Sequence, residues 1–373
     1  MKAALLHRFN EPLLVANVAV EEPKAGEVLV KLAASGICGS DLHAWKGSSN
    51  ITKNMPMILG HEGAGVVEQV GEGVSDLKRG DHVVISMSGP CGHCEFCGSG
   101  QLEYCDGPER GNIWGEMVDG TTRFAREGAK VYPMIGVGSL GEYAVVRRAM
   151  LVKIDQDLPL STLCIVPCGV TTGLGSVFNV ACVTPGSSVL VVGCGGVGVN
   201  VIQGARIAGA ANIIAADTNP AKFDLASDLG ATHCIEVGED AEEFEAKVRS
   251  IAPKGVNFAF DVVGSAAIIR QLVGLTAPGG TTCVIGVVPW AEDVGAPAGL
   301  FLVGQRRLIG VGGGGNRPVR DIGRIVALYR QGKLQLDRLI GKTFDLDEVN
   351  DAFVTASVGD FTKVTVKLDP RLT

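Results

Sequence analysis

The chain has 373 residues, of which 46% are hydrophobic and 20% charged, and its formal net charge is −7 at pH 7. This length exceeds what one hydrophobic core usually serves, so two domains are expected. The acidic balance argues against a nucleic-acid partner. No apolar run reaches the ~18–20 residues of a membrane span, and residues 1–30 show no signal-peptide pattern. We therefore expect a soluble, cytoplasmic protein.

The first part of the chain contains short, alternating apolar runs, among them "EVLVKLAASG", "GAGVVEQVGEGV" and "DHVVISM". Turn-forming Gly, Asp and Lys residues separate these runs. This rhythm is typical of an all-β, barrel-like unit, which is predicted to span residues 1–169.

A dense cysteine cluster, "PCGHCEFCGSGQLEYC", interrupts this unit with the spacing C-x2-C-x2-C-x7-C. Four thiolates at such short separations match a closed, tetrahedral structural zinc site. Iron–sulfur clusters usually show other spacings, and a redox pair needs only two cysteines. The predicted ligands are Cys91, Cys94, Cys97 and Cys105.

The remaining cysteines bear on the cellular compartment. Eleven is an odd number, which favours a reducing environment over a disulfide framework. Four cysteines stand in apolar sequence and are predicted to be small, buried core residues. These are Cys164, Cys182, Cys234 and Cys283.

From residue 170 the sequence pattern predicts strands that alternate with helices, starting at "SSVLVVGCGGVGVNVIQGARIAGA". Such alternation predicts a parallel sheet built from βαβ units, and thus an α/β fold with a doubly wound, Rossmann-type domain. This domain is predicted over residues 170–312. The segment 313–373 is too short for a domain of its own and is expected to rejoin the first unit.

A G-x-G-x-x-G motif follows the first strand of this region and opens a helix. In that context the glycines let the backbone approach a pyrophosphate at a helix N-terminus. The next strand ends in Asp217, whose carboxylate can bind the adenosine ribose and would repel a 2′-phosphate. NAD is therefore favoured over NADP. The motif residues are Gly193, Gly195, Gly196, Val197 and Gly198.

Two further cysteines and a histidine are scattered along the chain, at Cys38, His61 and Cys168. Two thiolates and one imidazole, with a fourth position left for water or substrate, form a known catalytic zinc arrangement. The spacing alone does not bring these residues together. Taken singly, a structural histidine and two core cysteines explain them better.

Together these motifs resemble the zinc-dependent, medium-chain alcohol dehydrogenases, close in plan to the animal and class III-type branch. The resemblance runs end to end, through G-H-E-x-x-G at 60–65, the cysteine lobe, "DGTTRF", "GCGGVG" and "GDFTKVTVKL". It implies that the first unit is a GroES-like catalytic domain. It also implies that Cys38, His61 and Cys168 hold a catalytic zinc, so that each chain binds two zinc ions.

The resemblance implies a mechanism as well. Hydride passes from the alcohol carbon to the nicotinamide, and zinc acts on the alcohol oxygen as a Lewis acid. The proton leaves through a hydroxyl matching Ser40, the nicotinamide ribose and a histidine matching His43. Asp41 matches the carboxylate that orients the zinc-bound imidazole. Glu62 matches an acid behind the metal that can act as an alternative ligand during exchange.

Further cofactor contacts come from the resemblance alone. Thr172 and Val197 match residues that pack on the nicotinamide ring, and Val287 is counted with the cofactor site. Lys222 matches a lysine at the adenosine ribose. Lys363 stands where a basic residue meets the pyrophosphate.

The chain also departs from the pattern. Gly39 stands where many relatives place an arginine or histidine, and Arg110 is not clearly in register with the basic residue of the glutathione-adduct branch. An apolar pocket for a medium-sized primary or aromatic alcohol is expected. Its predicted walls are Met87, Ile135, Val287, Trp45 and Trp290.

The leading prediction is an NAD-dependent zinc alcohol dehydrogenase that reversibly oxidises primary alcohols to aldehydes. S-(hydroxymethyl)glutathione (formaldehyde) dehydrogenase activity is the enzymatic alternative, and a zinc-binding interaction module is the alternative of another class. The expected partner is a small alcohol or aldehyde, without nucleic acid or membrane. A homodimer is favoured because "DGTTRF" belongs to the longer dimeric forms, and a tetramer stays open.

Overall fold

The computed structural model describes residues 1–49, 52–107, 114–289 and 291–372. The chain divides into two compact units, of which the first comprises residues 1–168 and 317–373 and the second residues 169–316. The borders predicted from the sequence, 169/170 and 312/313, lie one and four residues from these. No helix within the described ranges is both long and apolar enough to cross a membrane.

The strands of the described chain are numbered in chain order. They are β1 (Lys2–Leu6), β2 (Leu14–Asn17), β3 (Ala19–Val20), β4 (Glu27–Ile37), β5 (Met57–Ile58), β6 (Glu62–Val70), β7 (His82–Ile85), β8 (Phe124–Arg126), β9 (Ala129–Pro133), β10 (Tyr143–Arg147), β11 (Leu151–Ile154), β12 (Ser188–Val192), β13 (Asn212–Asp217), β14 (His233–Glu236), β15 (Val256–Asp261), β16 (Thr276–Val284), β17 (Arg307–Gly310), β18 (Ile340–Asp345) and β19 (Lys363–Lys367).

The α-helices are numbered in the same way. They are α1 (Gly39–Lys46), α2 (Glu95–Gly98), α3 (Leu160–Leu163), α4 (Thr171–Gly175), α5 (Gly198–Ile207), α6 (Phe223–Leu229), α7 (Ala241–Ile251), α8 (Ala266–Leu275), α9 (Ala298–Leu302), α10 (Pro318–Arg330) and α11 (Val349–Val358). Two π-helical turns, Val166–Val170 and Ser176–Ala181, flank α4.

The first unit is built on two sheets. One has the strand order β2-β1-β5-β9-β8-β3, and the other has the order β11-β7-β6-β4-β19-β18, with β10 also paired to β4. The long strand β4 is almost entirely buried and pairs antiparallel with β6, β10 and β19. The segment after residue 317 therefore shares a sheet with the start of the chain, because β19 lies directly beside β4.

Gly65 allows β4 and β6 to approach closely. A Cβ atom at this position would lie 2.1 Å from the carbonyl oxygen of Lys31 on the neighbouring strand, a distance no side chain tolerates. This close approach gives a physical reason for the last glycine of the G-H-E-x-x-G motif. It also fixes the register that places Gly36 opposite Glu62.

The second unit contains a six-stranded, fully parallel sheet with the order β14-β13-β12-β15-β16-β17. Counted from β12, this is the 3-2-1-4-5-6 order of doubly wound dinucleotide-binding folds. Val189 and Val191 pack into one core cluster, whereas Leu190 and Val192 pack into another. Successive side chains of β12 thus serve opposite faces, which explains its continuous apolar sequence.

Candidate metal centres and cofactor site

One cluster of potential metal ligands assembles within the first unit from residues that are far apart in sequence. The donor atoms of Cys38, His61, Glu62 and Cys168 all lie within 4.8 Å of one another, and the two sulfur atoms are 3.7 Å apart. Cys38 follows β4 and His61 precedes β6. Because β4 and β6 are neighbouring antiparallel strands, these two ends meet at one edge of the sheet.

Asp41 in α1 holds two of these residues in place. Its Oδ1 accepts hydrogen bonds from His61 Nδ1 (3.2 Å) and the Gly60 amide (3.0 Å), and its Oδ2 accepts from the Cys38 amide (2.9 Å). A carboxylate can only accept, so Nδ1 of His61 carries the proton and Nε2 has the free lone pair. The predicted orienting role of Asp41 is consistent with these contacts.

The Nε2 atom of His61 is buried and has no hydrogen-bond partner. An unpaired, buried acceptor beside the thiols of Cys38 and Cys168 is costly unless it binds something. Two sulfur donors and one imidazole nitrogen are ligands that zinc prefers. The residues of this cluster therefore fit a zinc ion.

Electrostatic interactions in the cluster are strong because it is buried. The hydrogen bond from the Cys168 thiol holds the pKa of Cys38 well below its usual value. Burial by itself lowers the pKa of His61, but the charge and hydrogen bond of Asp41 outweigh it and raise that pKa. Burial also raises the pKa of Glu62 to about 7.

Lys363 is the second charged residue of this cluster. Its Nζ lies 2.5 and 2.6 Å from the two carboxylate oxygens of Glu62, and its side chain is only 4% exposed. Attraction to Glu62 outweighs burial and raises the pKa of the ammonium. The resemblance assigns Lys363 to the pyrophosphate. In the structure its side chain is paired with Glu62, and the contact with the pyrophosphate stays a prediction.

Sequence analysis missed Gly36, which lies opposite Glu62 on β4. A Cβ atom at Gly36 would lie 2.2 Å from Glu62 Oε2. Any other residue would displace the carboxylate from its contact with Lys363. Only the strand register reveals this requirement, since nothing in the sequence around residue 36 marks the glycine as special.

The second cluster is the predicted cysteine lobe. The donor sulfurs of Cys91, Cys94, Cys97 and Cys105 lie within 4.8 Å of one another. Three backbone amides point at sulfur: Cys91 N to Cys105 Sγ (3.2 Å), Cys94 N to Cys91 Sγ (3.3 Å) and Cys97 N to Cys94 Sγ (3.4 Å). Such donors stabilise negative sulfur, and four sulfurs leave no place for substrate. This geometry fits a closed zinc site.

The glycine motif forms the turn between β12 and α5. A Cβ at Gly198 would lie 1.7 Å from the Gly193 carbonyl oxygen, so the turn requires glycine there. Asp217, at the end of β13, accepts from the Cys194 amide at 2.7 Å and from Lys222 Nζ at 3.2 Å. The structure therefore brings the glycine turn, the acid and the lysine together, which suits the adenosine half of a dinucleotide.

The other predicted cofactor residues occupy varied positions within the second unit. Thr172 is buried in α4, and its carbonyl accepts from the Ser176 hydroxyl at 2.6 Å. Val197 is half-buried directly before α5, beside Gly195 and Gly196 of the turn. Val287 is 76% exposed.

The predicted proton relay lies on α1. Ser40 is half-buried in its first turn, two residues from the zinc-site cysteine Cys38. His43 is exposed one turn further on, and its Nδ1 lies 3.0 Å from the hydroxyl of Ser48. Sequence analysis missed Ser48, although a glycine at position 47 is a typical helix-ending signal.

Trp45, which is predicted to line the substrate pocket, is half-buried and packs against the hydrophobic core. Its ring packs edge-on against Phe353 in the hydrophobic core at 6.0 Å, and its Nε1 donates to the Glu11 carbonyl at 2.6 Å. The helical spacing of α1 turns this face toward the core. Ile135 packs against the same core, and Met87 is half-buried. Arg110 and Trp290 lie outside the described residues.

Two of the four cysteines predicted to be core residues are not fully buried, although Cys234 still packs against a core cluster. Cys164 and Cys283 are buried, whereas Cys234 is half-buried and Cys182 is exposed. Cys182 follows a π-helical turn in a left-handed conformation (φ 51°), which carries it to the surface despite its apolar neighbours in sequence.

Two family models match the chain. Residues 24–156 match the alcohol dehydrogenase GroES-like domain, and residues 196–327 match the zinc-binding dehydrogenase model. The chain is 36% identical over 353 residues to the S-(hydroxymethyl)glutathione dehydrogenase of Synechocystis sp., an alignment that covers 94% of this chain and 95% of the relative.

Two crystal structures extend the likeness to three dimensions. An alcohol dehydrogenase zinc-binding domain protein from Burkholderia ambifaria has a TM-score of 0.93 and 34% identity, with 99% of this chain and 98% of that chain covered. The benzyl alcohol dehydrogenase from Acinetobacter calcoaceticus has a TM-score of 0.92 and 32% identity, with 99% of both chains covered.

The fold and the two thiol-rich centres thus define a zinc-binding dehydrogenase. Within that class, the chain belongs to the zinc-dependent, medium-chain alcohol dehydrogenase family, and it is an NAD-dependent oxidoreductase with a small-molecule substrate. The predicted family, fold class, activity and cofactors are confirmed.

Proposed function

We propose that this enzyme reversibly oxidises primary alcohols, aromatic ones included, to aldehydes, with a catalytic zinc on Cys38, His61 and Cys168. The observation that carries the assignment is the buried Nε2 of His61, which lacks a hydrogen-bond partner and lies within 4.8 Å of two thiols. A second zinc on the cysteine lobe has a structural role. When bound, the catalytic zinc would supply Lewis acidity at the alcohol oxygen.

The side chains around that zinc position its ligands and transfer the proton. Asp41 fixes the His61 tautomer and the Cys38 backbone. Lys363 contacts both carboxylate oxygens of Glu62, so that this fourth potential donor is neutralised by a lysine rather than by the metal. Ser40 would accept the alcohol proton at its hydroxyl, and His43 would accept it at its imidazole and release it to water.

The second unit holds the oxidant. The turn from Gly193 to Gly198 takes the pyrophosphate, and Asp217 with Lys222 takes the adenosine ribose. The Asp217 carboxylate would repel a 2′-phosphate, which supports NAD over NADP. Thr172 and Val197 would hold the nicotinamide, and NAD when bound would supply the hydride acceptor.

The substrate assignment is tested by a panel with two arms. Zinc-loaded enzyme is assayed with NAD and benzyl alcohol, hexanol or ethanol, and separately with formaldehyde in the presence or absence of glutathione. We expect the highest kcat/KM for benzyl alcohol or hexanol and no dependence on glutathione. A kcat/KM for the glutathione adduct tenfold above every alcohol would favour the second candidate, to which the Synechocystis relative points.

The metal assignment is tested separately. Dialysis against a strong chelator is expected to abolish turnover, and zinc is expected to restore it. Full activity in metal-free protein would overturn the function. Binding of duplex or single-stranded DNA that weakens with salt would instead revive a zinc-binding interaction module.

The assembly and the compartment are also part of the proposal. A homodimer is typical of relatives with this plan, so light scattering is expected to give twice 38.7 kDa, and four times that mass would indicate a tetramer. A cytoplasmic location suits two centres that need reduced thiols, because an oxidising compartment would convert the lobe to disulfides. Fractionation of cells that express the protein checks this.

A further inference from the structure

The end of α1 has a defined backbone geometry. Gly47 adopts a left-handed conformation (φ 72°, ψ 16°), its amide donates to the Ala44 carbonyl at 3.1 Å, and the Ser48 amide donates to the His43 carbonyl at 3.0 Å. These two bonds form a Schellman motif. The motif folds the chain back, so that Ser48 lies beside the imidazole of His43.

The hydroxyl of Ser48 contacts His43 twice. Its Oγ donates to the His43 carbonyl oxygen at 3.3 Å and lies 3.0 Å from His43 Nδ1. A serine hydroxyl has one proton and two lone pairs. A carbonyl oxygen can only accept, so the arrangement that makes both contacts at once has the hydroxyl donating to the carbonyl and accepting from Nδ1. In that arrangement neutral His43 carries its proton on Nδ1, and Nε2 is left as the acceptor.

We infer that Ser48 is a positioning residue of the proton relay, which keeps neutral His43 in the Nδ1–H form so that Nε2 can take the proton. This inference rests on the proposed function. The alcohol loses a hydride with its electron pair to the nicotinamide and a proton through Ser40 and the ribose. That proton binds the Nε2 lone pair of His43, and the imidazolium then releases a proton to water.

The opposite tautomer could not perform this step. A neutral histidine protonated on Nε2 has its lone pair only on Nδ1, and that atom is engaged with Ser48. Free neutral histidine favours the Nε2–H form in water. The contact with Ser48 therefore selects the form that histidine adopts less often by itself.

The first test is spectroscopic and does not depend on activity. The chain has six histidines, so zinc-loaded protein with 15N-labelled histidine gives few signals, and the His43→Gln variant identifies those of His43. At a pH where the ring is neutral, we expect wild-type His43 to show the 15N shifts of the Nδ1–H tautomer. Ser48→Ala should move them to the Nε2–H pattern, and Ser48→Thr should not.

A matched control is Ser357, which is exposed near the end of α11 and donates to the Val354 carbonyl at 2.7 Å. Ser357→Ala removes a comparable hydroxyl–carbonyl bond away from the relay, and it should leave the His43 signals unchanged. Wild-type protein in the Nε2–H form, or a Ser48→Ala variant that keeps the wild-type pattern, overturns the inference.

The second test is kinetic. Losing one net hydrogen bond of about 1 kcal/mol changes the tautomer ratio about fivefold. We therefore expect Ser48→Ala to lower kcat about fivefold with an unchanged KM for NAD, and Ser48→Thr and Ser357→Ala to keep wild-type kcat. An unchanged kcat in Ser48→Ala overturns the inference.

A failure of the proposed alcohol dehydrogenase function would give a different result from a failure of the Ser48 inference. Wild-type enzyme loaded with zinc and NAD would then turn over no alcohol at all, and the relay role of Ser48 would fall with it. If alcohol is oxidised and only the tautomer pattern or the Ser48→Ala kinetics disagree, the proposed function stands and the role of Ser48 alone is wrong.

Discussion

The two thiol-rich centres of the first unit are assembled in opposite ways. The lobe takes all four donors from a segment of fifteen residues, 91–105, and its own backbone amides hydrogen bond to its sulfurs. The proposed catalytic cluster draws its donors from residues 38, 61, 62 and 168, and a lysine from residue 363 is paired with one of them.

This difference suits the two centres to different roles, with the lobe supporting stability and the dispersed cluster supporting chemistry. A local set of four identical donors can close around a metal whatever the rest of the fold does, so it suits a structural role. The dispersed set contains different donors from three separate segments of the chain, and one of them, Glu62, is paired with a lysine. Such a set can leave a coordination position for substrate.

Removing a ligand from the dispersed cluster should have the largest effect on activity. Cys168→Ser is expected to reduce kcat/KM by more than ~100-fold, beyond the 10–100-fold typical of losing an outer-shell partner. Elemental analysis should show one zinc fewer per chain while the lobe keeps its own. Cys283→Ala, which changes a buried thiol in the other unit, is the control and should keep both zinc ions.

In contrast to Cys168→Ser, the Cys97→Ser variant should lose stability more than activity. Metal binding to the lobe also stabilises the folded segment. Losing this metal should therefore lower the melting temperature by roughly 5–10 °C if the free energy of unfolding falls by ~3 kcal/mol. Folded enzyme that remains should keep its relative rates on different alcohols. Native melting behaviour with an altered substrate profile would show that the lobe takes part in substrate selection.

Lys363→Met probes the counter-charge. The change leaves Glu62 buried without a partner, which typically costs about 3–5 kcal/mol. We expect a lower melting temperature and a changed visible spectrum of the cobalt-substituted enzyme, because the freed carboxylate can bind the metal. The double variant Glu62→Gln/Lys363→Met should recover most of the stability and the original spectrum. Failure of this rescue would mean that Lys363 acts on something other than Glu62.

The smallest effects belong to cysteines outside both clusters. Cys182 is exposed, whereas burial raises the pKa of Cys283 to about 12. A thiol reagent should therefore label Cys182 rapidly in the zinc-loaded enzyme without loss of activity, and Cys182→Ala should remove that fast phase. A chelator should then expose the lobe thiols as a second, slower phase. Fast labelling of four or more thiols before chelation would contradict a metal-closed lobe.

The sequence reveals features that depend on local spacing. The lobe quartet and the glycine turn before α5 are each contained in one short segment, and the residues themselves indicate their chemistry. The acid Asp217 is recognisable because the fold places it one strand further along. The dispersed triad was indicated only by the family resemblance, since no spacing rule connects residues 38, 61 and 168.

Other features depend on strand register and could not be read from the sequence. Lys363 was assigned to the cofactor because its position in the motif matched, and only the pairing of β19 with β4 shows that it meets Glu62. Cys182 was misplaced because it is exposed although its neighbours in sequence are apolar. Apolar or aromatic character does not say whether a side chain faces the core, the pocket or the solvent.

The bond between Glu62 and Lys363 joins residues that are 301 positions apart in the chain. A ribosome releases Cys38, His61 and Cys168 long before it releases the strand that carries the lysine. The pair between Glu62 and Lys363 can therefore form only when almost the whole chain has been synthesised.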